Sequence, residues 1–245
     1  MAIENVTIPL RNGGAVSGVL TVPQGFRAGE GTGVILAHGA GNDMNHPLIT
    51  SVANGLAEAG HVTLRFNFLY RDRGLERPDS LEVLFRAWEG AYRFLHEHPK
   101  CRPRVLVAAG KSLGGRVAAQ MVAEGLLSVD RLVFLGYPLH PPGKPERLRD
   151  AHLYNIAIPM LFFAGTRDSL CEISLLNAVL ERVRTAWVLE VVEGGDHSFH
   201  VPRAAGFGDE EIHRRILERV LGWLDTDMEV GLGSETESTK SGLET

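Results

Sequence analysis

Residues Val105 to Gly115 read VLVAAGKSLGG. The run Val105 to Ala109 is too short for a buried helix and too apolar for an exposed loop, which makes it a strand covered on both faces, as in a parallel sheet. A helical pattern follows at once, with Val117, Ala118, Met121, Val122 and Leu126 on one face and Arg116, Gln120 and Glu124 on the other. Between the two, Gly110-Lys111-Ser112-Leu113-Gly114 fits G-x-S-x-G, a tight strand-to-helix turn that lifts a serine hydroxyl off the carboxyl end of a sheet. Such a turn packs backbone on backbone, so Cβ atoms at Gly110 and Gly114 would collide while Ser112 projects into the open. The free N–H groups and the positive end of the new helix face whatever Ser112 attacks. The pattern recurs by chance in many chains, and it is the strand before it and the helix after it that give it weight. Gly110-Lys111-Ser112 could also end a phosphate-binding P-loop, but that motif needs glycine at the position held by Val105.

Outward from this stretch the chain alternates strand and helix signals. Val6 to Leu10 and Ala15 to Val22 form an expected hairpin around Arg11-Asn12-Gly13-Gly14, an antiparallel edge. Gly33 to Ala37 is a buried-strand pattern running into His38-Gly39-Ala40-Gly41. A helix follows, with Pro47 near its start, Ile49, Val52, Ala53, Leu56 and Ala57 on one face, and Gly60 as a stop. Val62 to Phe66 is a strand, and Asn67 to Pro78 a loop whose arginines, Arg71, Arg73 and Arg77, are interleaved with acids and read as solvated. Asp79 with Glu82 suggests a capping box opening a helix that buries Leu81, Leu84, Phe85, Trp88, Tyr92 and Leu95. Beyond the Ser112 helix come a strand at Leu132 to Leu135, the proline-rich Tyr137 to Pro159, and a strand at Pro159 to Gly165 leading to Thr166-Arg167-Asp168. Then follow a helix through Ile173, Leu176, Leu180 and Val183, a strand at Trp187 to Val192 leading to Glu193-Gly194-Gly195-Asp196-His197, and a last helix through Ile212, Ile216, Val220 and Leu224. The expected fold is α/β: a doubly wound, mostly parallel sheet with helices on both faces, an antiparallel N-terminal hairpin and no large cap domain. Residues 1–225 form one domain in this reading. The segment 226–245, TDMEVGLGSETESTKSGLET, reads as a disordered acidic tail.

His38, Ser112, Asp168 and His197 all fall just after expected strands, the end of such a sheet where functional groups gather. A serine hydroxyl is a poor nucleophile near neutral pH; it needs a base within hydrogen-bond reach and a third group to fix the tautomer of that base and steady its charge. His197 is the expected base, preferred over His200 because it directly follows the last strand. Asp168 is the expected orienting acid, preferred over Asp196, whose adjacency to His197 makes the pairing geometry awkward. Donors for an oxyanion should be the N–H of Leu113 and an N–H of the HGAG turn, Ala40 being the best candidate. His38, Gly39, Gly41, Tyr70, Tyr137, Leu139 and His140 are the expected lining of the substrate site.

Composition narrows the function classes. The chain has 245 residues, 44% of them hydrophobic, and a formal net charge of −5 that sits mostly in the C-terminal tail. No basic footprint for nucleic acid exists, no stretch approaches the length of a membrane helix, and the N-terminus lacks the features of a signal peptide. Cys101 and Cys171 make no disulfide framework, which with the rest leads to an expectation of a cytoplasmic protein. Neither metal nor cofactor is called for. The expected ligand is a small molecule; a protein partner would engage the acidic tail.

HGAG, GKSLGG, GTRD and GGDHSF, taken with YPLHPPGKPERLR, resemble the small α/β-hydrolases related to dienelactone hydrolase, and within them the testis-expressed-protein and chromatin-complex-subunit branch with many bacterial members. The resemblance spans Ile3 to Leu224 and implies the α/β-hydrolase fold with a Ser112, Asp168, His197 site. Dienelactone hydrolase uses cysteine where this chain has Ser112, so its substrate does not carry over. The expectation is a serine hydrolase acting on an ester, with amides and thioesters less favoured, and the alternative is a non-enzymatic interaction module on the same fold. With Pro138, Pro141, Pro142 and Pro145 preventing a long helix between Leu135 and Pro159, the site should be open and favour short or bulky acyl groups.

Overall fold

The apolar runs pair into one eight-stranded sheet with spatial order β1-β2-β4-β3-β5-β6-β7-β8. The computed structural model describes residues 1–11, 13–202 and 206–226. In chain order the elements are β1 (Ala2–Pro9), β2 (Ala15–Val22), β3 (Thr32–Ala37), α1 (Pro47–Glu58), β4 (Val62–Phe66), α2 (Leu69–Asp72), α3 (Leu81–His96), β5 (Val105–Lys111), α4 (Leu113–Ala123), β6 (Arg131–Leu135), β7 (Met160–Gly165), α5 (Ile173–Leu180), β8 (Trp187–Val192) and α6 (Asp209–Leu224). Strands β4, β3, β5, β6, β7 and β8 run parallel, while β1 and β2 form the expected antiparallel edge, β2 pairing antiparallel with β4.

β5 sits between β3 and β6, and its side chains alternate between two cores. Leu106 and Ala108 point with Ile35, Leu132, Phe134 and Phe162 into the core under α3 and α4. Val107 and Ala109 point with Val34, Leu36, Val133, Leu161 and Phe163 into the core under α1 and α6. Burial on both faces explains why the sequence shows continuous apolar runs rather than alternation. Each fully buried Leu, Ile or Phe contributes about 1.5–3 kcal/mol, and the two layers together clamp the strand whose end carries Ser112.

Several details differ from the sequence reading. β1 begins at Ala2 rather than Val6: its first residues are exposed, Ile3 included, so they lack a buried-strand pattern, and pairing with β2 holds them. The segment after β4 contains the single turn α2, too short to show a helical period. The Asp79–Glu82 capping box does not form. Ser80 is the N-cap of α3, without a side-chain hydrogen bond, and this puts Val83 at the position where the box needs its acid. Tyr137 to Pro159 holds only a 3-10 turn at Leu153–Asn155, and among the described residues no cap covers the sheet end. Asn12 and the tail from Asp227 lie outside the described residues.

Where β5 turns into α4, backbone meets backbone. A Cβ at Gly110 would stand 2.2 Å from the Gly115 nitrogen, and one at Gly114 2.7 Å from the carbonyl oxygens of Ala37 and His38. Gly110→Ala is therefore expected to lower the unfolding free energy by about 3 kcal/mol, the upper part of the overpacking range. Gly222→Ala, in α6 with nothing within 4 Å of the added methyl, should raise it by about 0.5–1 kcal/mol. Urea denaturation of the two variants checks the contrast.

Candidate active site

Ser112 is forced into a left-handed backbone conformation, φ 50° and ψ −113°, as the link between β5 and α4. Among the described residues only Ser112 and Phe199, at φ 66°, hold positive φ without being glycine. Both lie in segments that deliver candidate site residues, where strain of order 1–3 kcal/mol is retained because the surrounding packing over-determines it.

Three side chains meet at the carboxyl end of the sheet. The Ser112 hydroxyl donates to His197 Nε2 at 2.8 Å, and His197 Nδ1–H donates to Asp168 Oδ2 at 2.8 Å. The other carboxylate oxygen of Asp168 accepts the Leu170 N–H at 2.8 Å, so the acid is held at both ends. Its side chain is fully buried, and that of His197 is 19% exposed. Asp196, the rival acid, faces away: it accepts the backbone N–H groups of Ser198 and His200 and lies 3.3 Å from the His200 ring. These bonds hold the Asp196 carboxyl below the usual carboxylate range, against a desolvation effect that acts the other way. Asp196 shapes the loop that presents His197.

The loops carrying Asp168 and His197 are locked together. Arg167 N–H donates to Gly195 O at 2.8 Å, and a Cβ at Gly165 would stand 2.2 Å from that same oxygen, so no larger residue fits there. Lys111, the residue before the serine, is buried, and its ammonium donates to His197 O at 3.3 Å. Burial pushes its pKa down, while Asp168 and Asp196 pull it back up. Nothing in the sequence marks Lys111 except its place inside the turn motif.

The HGAG turn lies across from the serine. His38 is buried, its Nε2 accepting the Phe68 N–H at 3.1 Å, which leaves the proton on Nδ1 to be donated to Gly39 O at 2.8 Å. Tyr70 also directs its hydroxyl at Gly39 O, at 3.4 Å. In a trans peptide the carbonyl and the following N–H point opposite ways, so drawing the Gly39 carbonyl inward turns the Ala40 N–H outward. Neither this N–H nor that of Leu113 has an acceptor among the described residues.

Ser112, Leu113 and Ala40 share a cleft of about 410 Å³, with Pro78, Asp79, Leu81, Leu84, Arg116, Pro138, Pro142, Arg149 and Leu170. The expected lining needs correction. His38, Tyr70, Tyr137, Leu139 and His140 are all buried and absent from the cleft wall, each occupied elsewhere. Tyr137 donates to Arg149 O at 2.8 Å. His140 Nδ1 lies 3.0 Å from Pro141 O, and its Nε2 accepts the Glu172 N–H at 3.2 Å, tying the β6–β7 connection to the segment after Asp168. Gly39 and Gly41 shape the turn without lining the cleft; a Cβ at Gly39 would press within 3.3 Å of Ser112 Cβ. Pro138 and Pro142, neighbours of the residues expected there, form the wall instead. Among the described residues no group of three or more His, Cys, Asp or Glu could hold a metal ion, and no helix is long and apolar enough to cross a membrane.

Residues 30–225 match the family of the alpha/beta hydrolase domain. The chain belongs to this family. Solved α/β-hydrolases superpose over nearly the whole described chain. A dienelactone hydrolase from Anabaena variabilis gives a TM-score of 0.68 at 24% identity, covering 90% of this chain and 97% of that one. An α/β serine hydrolase from Xanthomonas campestris described as lacking a lid gives 0.70 at 19% identity, covering 92% and 97%. At these identities the likeness is one of fold. Two Mycobacterium tuberculosis proteins described as putative phosphoribosyl transferases are 27% identical over 189 residues, 76% of this chain, but the chain spans only 40% of their length.

Burial under the HGAG turn has a cost in acid. Desolvation lowers the His38 pKa to about 4 from an ordinary 6.5, and burial likewise takes His46 and His152 to about 4. Below pH 6.5 the unfolded chain binds these protons more readily than the folded one. The stability contributed by the neutral rings is complete above that pH, falls as pH drops through the window 6.5 to 4, and levels off below it. For His38 this amounts to about 3 kcal/mol. Urea midpoints measured across this window should fall with acid, and His38→Gln should make the decline shallower.

Proposed function

We propose that this α/β-hydrolase is a serine hydrolase that cleaves an ester of a small molecule through an acyl-enzyme intermediate. The observation that carries this reading is the unbroken relay from Asp168 through His197 to Ser112, with both links at 2.8 Å, at the mouth of an open cleft. An interaction module with no chemistry to perform has no physical need for a strained serine, a doubly held carboxylate and, in the same cleft, two N–H groups without an acceptor among the described residues. The stretch YPLHPPGKPE, which supplies cleft-wall Pro138 and Pro142, supports placing the chain in the testis-expressed-protein and chromatin-complex-subunit branch, with residues 1–225 as the catalytic domain.

In this mechanism Ser112 Oγ attacks the ester carbonyl carbon as its proton passes to His197 Nε2. The imidazolium is stabilised by Asp168, which also keeps the Nδ1 proton in place. The carbonyl electron pair collects on oxygen, which accepts from the N–H groups of Leu113 and Ala40. Collapse of the tetrahedral intermediate expels the alcohol, protonated by His197, and leaves the acyl group on Ser112. Water then attacks the acyl carbon, giving its proton to His197, and a second collapse returns that proton to Ser112 Oγ and releases the acid.

A fluorophosphonate probe should label the folded protein at Ser112, and Ser112→Ala should abolish labelling with little change in stability; labelling that persists in the variant would refute the assignment. Asp168→Asn should lower kcat by up to about 10⁴, as expected where the base loses its tautomer, and Asp196→Asn should cost far less. The reverse ranking, read from steady-state kinetics on one ester, would move the acid to Asp196. Because the cleft has, among the described residues, no cover or tunnel to repay burial of a long chain at about 0.8 kcal/mol per CH₂, kcat/KM over p-nitrophenyl esters from acetate to palmitate should peak at the short end. A rise towards palmitate would contradict the open site.

A further inference from the structure

Two arginines line the cleft beside Ser112. Arg116 lies in the first turns of α4, just beyond the serine, and Arg149 in the connection between β6 and β7. Neither forms an ion pair among the described residues. Arg116 donates to Gln120 Oε1 at 3.3 Å, and its Nε is buried with no hydrogen-bond partner. The Arg149 side chain has no hydrogen bond among the described residues, although its backbone is fixed at both groups, by Leu139 O and the Tyr137 hydroxyl.

The charge of Arg149 reaches Arg116. Burial pushes the Arg116 pKa down; Tyr137 opposes this, and the charge of Arg149 adds a smaller push in the same direction as burial. Half-buried like charges brought together without a carboxylate partner are costly in isolation. The arrangement makes sense once a negatively charged group sits between them. The one acid in the wall, Asp79, forms no ion pair with either arginine and has its own buried, unpartnered oxygen. One carboxylate against two guanidiniums leaves the wall net positive.

The remaining wall is apolar and short: Pro78, Leu81, Leu84, Pro138, Pro142 and Leu170. A cleft of about 410 Å³ with such walls and two arginines among its lining suits a compact ligand carrying an oxyanion and the scissile ester. Guanidinium is matched in shape to carboxylate and phosphate oxygens, and charge-assisted bonds of this kind are about twice as strong as neutral ones. The arginines of the loop after β4 do not reach the cleft: Arg71 donates to Leu75 O, while Arg73 and Arg77 are exposed.

We propose that Arg116 and Arg149 form an anion subsite beside Ser112, so that the substrate is a short ester bearing a carboxylate or phosphate group. This rests on the ester-hydrolase reading and narrows it to a substrate class. The anion contributes both binding and register, fixing the distance from the oxyanion to the carbonyl that Ser112 attacks.

Ethanol release from mono-ethyl succinate and ethyl 3-phosphonopropionate, set against neutral ethyl 4-methylpentanoate, tests the acyl side and distinguishes the two anions. O-acetylglycolate against isobutyl acetate, followed by acetate release, tests the alcohol side. At least one anionic ester should exceed its neutral counterpart in kcat/KM by about tenfold or more. In Arg116→Met combined with Arg149→Met that ratio should fall to near one, and in the Arg→Lys pair an intermediate ratio should return. Equal rates for charged and neutral esters, or a preference that survives the double Met variant, would overturn the subsite. Titration of the Ser112→Ala protein with mono-ethyl succinate and with ethyl 3-phosphonopropionate by calorimetry reads the same subsite without turnover. Binding that depends on both arginines in a chain that no fluorophosphonate labels would keep the anion site and reject the hydrolase. Labelling without any anion preference or binding would do the opposite.

Discussion

At the end of β5 the backbone runs so close to itself that only glycine fits at Gly110, Gly114 and Gly115. This contact bends the chain sharply enough to leave Ser112 outside and to start α4 with its N–H groups facing the cleft. The rest of the structure serves that bend. Two apolar layers hold β5 in the middle of the sheet, β3 and β6 fix its register on either side, and the turns after β3, β7 and β8 bring their residues to the same edge. A sheet of parallel strands delivers all its chain reversals of one kind to one edge, which is why residues far apart in sequence become neighbours there.

How much of this was legible depended on which signal a residue carries. The strands of the sheet centre are continuous apolar runs, and both they and the turn at Ser112 could be read without structure. Asp168 and His197 could be singled out because each follows its strand, and the structure brings them to hydrogen-bonding distance of one another and of the serine. The cleft wall was not readable. Tyr70, Tyr137 and His140 look like lining because aromatic and imidazole groups near a site suggest contact with a ligand, yet their polar atoms are taken by backbone groups: Gly39 O, Arg149 O and the Glu172 N–H. Pro138, Pro142 and Leu170 face the cleft instead. Which side of an irregular connection faces outward is set by such individual bonds, and no periodicity announces them. Lys111 illustrates the same limit, since a lysine beside a nucleophile in sequence reads as surface until its ammonium is found under the histidine loop.

The proposed acid, base and oxyanion donors are supported by the packing rather than decorating it. The carbonyl of Gly39 is drawn inward by His38, the carbonyl of His197 is contacted by Lys111, and Asp168 is held by the N–H of Leu170. Each is a backbone or buried polar group with a defined partner, so the site arrives preorganised and its charges are met by fixed dipoles instead of mobile water.

The imidazole of His140 spans two segments that are separate in sequence, its own connection after β6 and the start of α5 beyond the acid. Between His140 and Asp150 lies an exposed run, Pro142 to Leu148, bounded at one end by that ring and at the other by the Tyr137 hydroxyl on Arg149 O. A segment pinned at both ends and free in the middle can be exchanged without disturbing what the pins hold. The fold thus carries a cassette: its sequence and length can drift, and with them the shape of the cleft mouth, while the acid behind it keeps its position. Rewriting a handful of surface residues there would reshape the cleft mouth and leave untouched the hydrogen bonds from Asp168 through His197 to Ser112 behind it.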